Sequence, residues 1–170
     1  TVFVTHDQDE AMSTSDRMVL MYNGRVEQVG APDQMYTQPR SAFAAAFLGI
    51  PNLLRGRMAA DHGSFVTDAG PVLRLAGQAP VAGPACLALR PEVVAIATTA
   101  PDEGVNALAG RVEVMSFHGA AVEYQIATEA GLRMTARTTA PGLGGATPVP
   151  QGSRVWLCWS PSAGVIVSEH

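Results

Sequence analysis

The residues able to do chemistry are few, and most of their neighbours argue for a structural role. His6 and Asp7 stand side by side after the apolar run Val2-Phe3-Val4. Asp7 with Glu10 has the spacing of a capping box, so these carboxylates are expected to cap a helix and not to work as an acid–base pair. His62 and His118 each precede a glycine in otherwise similar stretches. A metal site joining them is conceivable, but no cysteine or carboxylate cluster completes it, and no metal is expected. Cys86 and Cys158 lie far apart and form no CxxC pair, which fits free thiols in a reducing compartment. All eleven basic residues are arginine. Without lysine there is no G-x-x-x-x-G-K-[ST] phosphate loop and no Schiff-base chemistry.

Bulk composition narrows the classes further. The 170 residues are 47% hydrophobic, enough for a packed core. A net charge of −4 and 6% aromatics argue against nucleic acid, which needs a basic face and stacking rings. No apolar run approaches the ~20 residues of a membrane span.

The elements that must position these residues divide the chain at about residue 50. Thr1–Thr5 reads as a strand core, and "DQDEAMSTSD" as a helix whose apolar face begins at Ala11 and Met12. "RMVLMY" and "RVEQVG" flank Asn23-Gly24, the strongest short hairpin pattern, because both central positions of a type I′ turn take positive φ. "APDQMYTQP" is expected to form a short helix with Pro32 near its start. "SAFAAAFLG" is expected to form another, from an N-cap at Ser41 to a stop at Gly49. Beyond Pro51 helical patterns vanish, and short alternating stretches follow: "LLRGRMA", "SFVTD", "CLALRPEVVAIA", "LAGRVEVMSF", "AAVEYQIA", "LRMTART" and "RVWLCW". In "AAVEYQIA", Val122, Tyr124 and Ile126 share one face while Glu123 and Gln125 take the other. Closely spaced short strands predict a small barrel or sandwich. The fold class is therefore mainly β, with a small α/β piece at 1–50 and the barrel or sandwich at 51–170. A duplication is suggested by two echoes. Gly56-Arg57-Met58 leads to His62-Gly63 and Val66 as Gly110-Arg111-Val112 leads to His118-Gly119 and Val122. "LALRP" returns as "LCWSP". Trp156 and Trp159, at strand spacing, are expected in the core, with a subunit interface as the alternative.

"VTHDQDEAM" followed by "SDRMVLMYNGRVEQVGAPDQMYTQP" resembles the end of the nucleotide-binding domain of ABC-type importer ATPases. "FAAAFLGIPNLLRGRM" is similar to the junction that follows it. "LRPEVV", "GRVEVMSFHG" and "GSRVWLCWSP" resemble the transport-associated OB-like domain called TOBE. The resemblance implies that His6 is the switch histidine that contacts the γ-phosphate of ATP, an imidazole being able to donate to a phosphate oxygen. It leaves the capping role to Asp7 and Glu10, a local surface pair to Asp16-Arg17, and a turn to Asn23-Gly24. The phosphate loop, Gln loop, signature and Asp-Glu pair of such ATPases lie upstream of the switch histidine and are not in this sequence. The expectation is a truncated remnant of a P-loop ATPase domain, a piece cut from a longer chain, inactive alone and binding no cofactor. The intact parent would use ATP and Mg2+. It would form a homodimer through its ATPase and OB-like domains, drive a transmembrane permease, and lie on the cytoplasmic face of the membrane. The alternative is a free-standing oxyanion-binding module, for which Ser116, Thr135 and Arg137 are the candidate ligands. A single-strand nucleic-acid binder fits the composition poorly. The cargo, within the ferric iron, polyamine, sulfate and sugar importer group, is not written in this stretch.

Overall fold

A computed structural model describes residues 1–77, 81, 83–101 and 103–169. The first helix, α1 (Gln8–Thr14), begins as its capping residues dictate, with the Asp7 carboxylate accepting from the Glu10 amide at 3.0 Å. The box closes through a third residue. The Asp7 amide donates to the Thr5 hydroxyl, and that hydroxyl donates to Glu10 Oε2, each at 3.0 Å. The hairpin β1 (Met18–Tyr22) and β2 (Arg25–Gly30) turns at Asn23 and Gly24, with φ of 48° and 75°. Next come α2 (Pro32–Thr37) and α3 (Ala42–Phe47), α3 capped by Ser41 and ended by Gly49 at φ 76°. Met18, Leu20, Met35, Ala44 and Leu48 form the small core of this segment.

Residues 1–5 depart from expectation. They form no strand, and Val2, Phe3 and Val4 are 93%, 68% and 90% exposed. An extended segment becomes a strand only when a neighbour completes its ladder, and no described residue pairs with this one. The Asp16-Arg17 pair also fails to form, since neither residue belongs to an ion pair among the described residues.

Ten strands build the rest: β3 (Asn52–Met58), β4 (Ser64–Thr67), β5 (Val72–Arg74), β6 (Ala85–Leu89), β7 (Ala95–Ala97), β8 (Asn106–His118), β9 (Ala121–Thr128), β10 (Arg133–Thr139), β11 (Arg154–Trp159) and β12 (Val165–Ser168). The alternating stretches all become strands. β5 and β12, too short to show a period, had no sequence pattern of their own. The strands form two five-stranded antiparallel sheets, ordered β12-β6-β3-β4-β5 and β10-β9-β8-β11-β7. One core lies between them and includes Leu54, Phe65, Leu87, Ile126, Leu157 and Trp159. Val122, Tyr124 and Ile126 are buried as their alternation required. Trp159 is core, its indole N–H buried without a hydrogen-bond partner. Trp156 is half-buried, with the Arg154 guanidinium 5.8 Å from its ring.

The duplication is real, and the sheets show its register. Gly56 faces Thr67 across β3–β4 as Gly110 faces Thr128 across β8–β9. Both glycines are forced by close approach, since a Cβ would meet the Val66 or Ala127 carbonyl oxygen at 2.1 and 2.7 Å. Thr67 binds the Pro71 carbonyl oxygen through its hydroxyl, and Thr128 binds that of Leu132 in the same way, each at 3.0 Å. The register aligns Val66, opposite Arg57, with Ala127, opposite Arg111, so Val122 is not its counterpart. The longer β8–β9 hairpin caused the mismatch. The last strands are exchanged: β7 of the first half pairs with β11, and β12 of the second half pairs with β6. Each half therefore completes the other's sheet.

Two asparagines fasten the exchange. Asn52 on β3 donates to the Thr135 carbonyl at 2.8 Å and accepts from the Thr135 amide at 2.6 Å. Asn106 on β8 does the same to Arg74, at 2.9 and 2.7 Å. Thr135 and Arg74 lie on β10 and β5, the edge strands of the opposite sheets. A side-chain amide copies the donor–acceptor pair of a strand, so each clamp satisfies an otherwise open edge.

Candidate functional site

The helical segment meets the barrel through α3, and the two parts enclose a cleft of about 680 Å³. α3 is small on the side that matters: Ala45 is fully buried with Ile50, Cys86, Ala88 and Val167 on the outer face of the first sheet. Ser41 adds a parallel bridge to Ser168. One wall of the cleft carries Gln8, Asp9 and Met12 of α1 with Tyr36 of α2. The other carries Arg90 and Glu92, then Glu123 and Gln125 of β9 and Thr135 and Arg137 of β10.

Two of the three proposed ligand residues face this cleft. Arg137 Nη2 donates to Glu123 Oε2 at 2.7 Å, a contact that raises the guanidinium pKa. The register sets Ser116, Glu123 and Arg137 in one row across β8, β9 and β10. Ser116 belongs to that row but does not line the cleft. Thr135 lends its backbone to Asn52, leaving its hydroxyl outside that clamp. The row is thus charge-balanced: its arginine already holds a carboxylate.

His6 stands exposed on the segment that leads into α1, outside the cleft wall formed by Gln8 and Asp9. His62 sits at φ 54° in the turn after β3, and His118 ends β8 on the other sheet. Among the described residues no three His, Cys, Asp or Glu side chains gather as metal ligands. Asp61, beside His62, is held by its own turn: it accepts from the Gly63 amide and the Ser64 hydroxyl, which lowers its pKa. Burial pushes both cysteine thiols up, away from reactive thiolate.

Sequence reasoning missed Arg90, Tyr36, Asn52 and Asn106. The Arg90 guanidinium carbon lies 3.3 Å from the Tyr36 ring centroid, and its Nη2 donates to the Tyr36 carbonyl. The asparagines were findable, because extending the Gly56/Gly110 echo backward aligns Asn52 with Asn106. The Arg90–Tyr36 contact left no such trace.

A family model described as a TOBE domain matches residues 87–167. The chain is 35% identical, over 99% of its length, to the spermidine/putrescine import ATP-binding protein PotA of Frankia alni. It is 39% identical over 76% to the Fe(3+) ions import ATP-binding protein FbpC of Rhizobium etli, and 38% over 92% to the sulfate/thiosulfate import ATP-binding protein CysA of Burkholderia mallei. These alignments cover 39%, 36% and 45% of the relatives, so the chain spans about two fifths of their length. In fold it is similar to the cytoplasmic molybdate-binding protein ModG, with a TM-score of 0.58 and 14% identity over 71% of this chain and 97% of that one.

Proposed function

Because this chain carries a TOBE domain and is homologous to the ATP-binding subunits of ABC-type importers, we propose that it is the C-terminal regulatory part of such a subunit. In this reading residues 1–50 complete a nucleotide-binding domain and residues 51–170 are the regulatory domain. The observation that carries it is the run of elements from His6 to Gly49, seated through α3 on a doubled barrel. The exposed Val2-Phe3-Val4 segment is then a strand awaiting the ladder of the remaining domain. His6 follows it at the mouth of α1, where its imidazole donates to the γ-phosphate of bound ATP. ATP and Mg2+ belong to the intact subunit, which pairs as a homodimer and acts on a transmembrane permease. The described residues hold no helix long and apolar enough to cross a membrane. In this reading the part reaches the membrane only through the permease, on the cytoplasmic side.

The test begins with the reading frame upstream of Thr1. It should encode a phosphate loop, a Leu-Ser-Gly-Gly signature and an Asp-Glu pair. In the protein it encodes, His6→Ala should lower ATP hydrolysis by about 100-fold, the scale of one lost charge-stabilising donor, with ATP still bound. A frame without those motifs, or unchanged hydrolysis, overturns the reading.

The oxyanion-module alternative draws on the fold shared with a molybdate-binding protein. The Arg137–Glu123 pair weighs against it. Calorimetry with molybdate and sulfate decides: the regulatory reading expects no heat assignable to Ser116, Thr135 or Arg137. Binding that Arg137→Ala abolishes favours the module.

A further inference from the structure

We propose that Arg90 is a latch that holds the His6 segment against the barrel, acting through Tyr36. The contact is double. The guanidinium carbon lies over the ring, 3.3 Å from the centroid, and the group also donates to the carbonyl of the same residue. A stacked arginine that spends a donor on a backbone oxygen fixes direction as well as distance.

The duplicated half supplies the control. In the first half the chain leaves β6 through Arg90-Pro91, and the Val93 amide donates to the Arg90 carbonyl at 3.2 Å. In the second it leaves β11 through Ser160-Pro161, and the Ala163 amide donates to the Ser160 carbonyl at 2.9 Å. The same turn forms with a serine, so the turn does not require an arginine side chain. Among the described residues Arg90 belongs to no ion pair, and the hydrogen bond and the ring contact of its side chain both go to Tyr36. The arginine therefore serves the contact between the two parts.

Tyr36 passes the constraint on. Its neighbour Met35 is fully buried in the helical segment's core beside Met18 and Leu20, so α2 moves with the β1–β2 hairpin. Met12 of α1 packs on the same core, and α1 starts immediately after His6. α3 already ties this segment to the first sheet on its Ala45 side. The latch is a second fastening, and both its residues line the cleft. With one fastening the segment can swing about α3; with two it cannot. Arg90 is thus a positioning residue for His6, whatever the nucleotide chemistry of the parent.

Amide hydrogen exchange on the full chain tests this. Arg90→Ser, which copies the second half's own turn, should speed exchange in residues 8–37 by about tenfold, the scale of a stacked, hydrogen-bonded guanidinium. Amides of β6 to β12 should keep their rates. Tyr36→Ala, which removes the ring but keeps the carbonyl bond, should give a smaller acceleration of the same residues, and Tyr36→Phe, which keeps ring and carbonyl, should do nothing. The double variant Arg90→Ser/Tyr36→Ala should exchange no faster than Arg90→Ser alone. Barrel amides accelerating together with residues 8–37, no acceleration at all, or additive effects in the double variant would each overturn the latch. The exchange readout involves no ATP, so failure here is distinguishable from failure of the importer reading.

Discussion

At the scale of single residues, the molecule is defined by groups that finish what a neighbouring backbone leaves open. Asn52 and Asn106 are both nearly fully buried, and each satisfies a donor and an acceptor on the opposite sheet's edge. Removing one strands two backbone groups, a loss of about 2–3 kcal/mol. Asn52 also donates to the Leu89 carbonyl at 3.1 Å, so in urea unfolding Asn52→Ala should cost at least as much as Asn106→Ala. A cost confined to one of them would show that the clamps are unequal. Gly56 and Gly110 make the same argument in space instead of hydrogen bonds. Either one changed to alanine drives a Cβ into a backbone oxygen and should destabilise by about 1–3 kcal/mol. Arg137 and Glu123 show the limit of reading chemistry from residue type: the arginine most eligible to bind an anion is already partnered.

At the scale of elements, stability is unevenly spread. α1 buries no residue fully, and its start depends on the Asp7 carboxylate and the Thr5 relay. Asp7→Ala should cost about 1 kcal/mol locally. Amide exchange across Gln8–Thr14 should quicken while the barrel's thermal midpoint holds. A falling midpoint would mean that α1 is needed by the barrel as well as by His6. α3 is the opposite case. Its alanines sit in two cores at once, Ala44 with the helical segment and Ala45 with the first sheet, so there is no room for larger side chains at either position. Small residues here let a short helix lie close to a sheet and carry both.

At the scale of the whole molecule, the exchanged strands make the barrel indivisible. β7 lies in the sheet of the second half and β12 in that of the first. A chain cut between β7 and β8 should give two pieces that are poorly structured alone, because each sheet lacks an edge and each clamp lacks its target. Mixed, they should elute together from a sizing column with restored β signal in circular dichroism. Two pieces that fold separately would contradict the exchange. The same interlock explains why the described core is one body spanning both sheets.

What the sequence determined by itself is local. Asn23-Gly24 dictated a hairpin because few other pairs accept two positive φ values, Asp7 and Ser41 dictated helix starts, and the alternation in "AAVEYQIA" dictated a half-buried strand. The mainly β class followed from such stretches, and the density of motif matches around His6 pointed to the importer ATPases. Tertiary structure alone decided which strands pair. β12 carries too few residues to show a period, and the exchange rests on ladders that set Ile96 beside Leu157 and Ile166 beside Leu87, far away in the chain. It also decided that Val2-Phe3-Val4 stays outside any sheet, because an apolar run supplies only half a ladder. The Arg90–Tyr36 contact belongs to the same class. A guanidinium and a ring 54 residues apart carry no mark of each other until the fold brings their faces together.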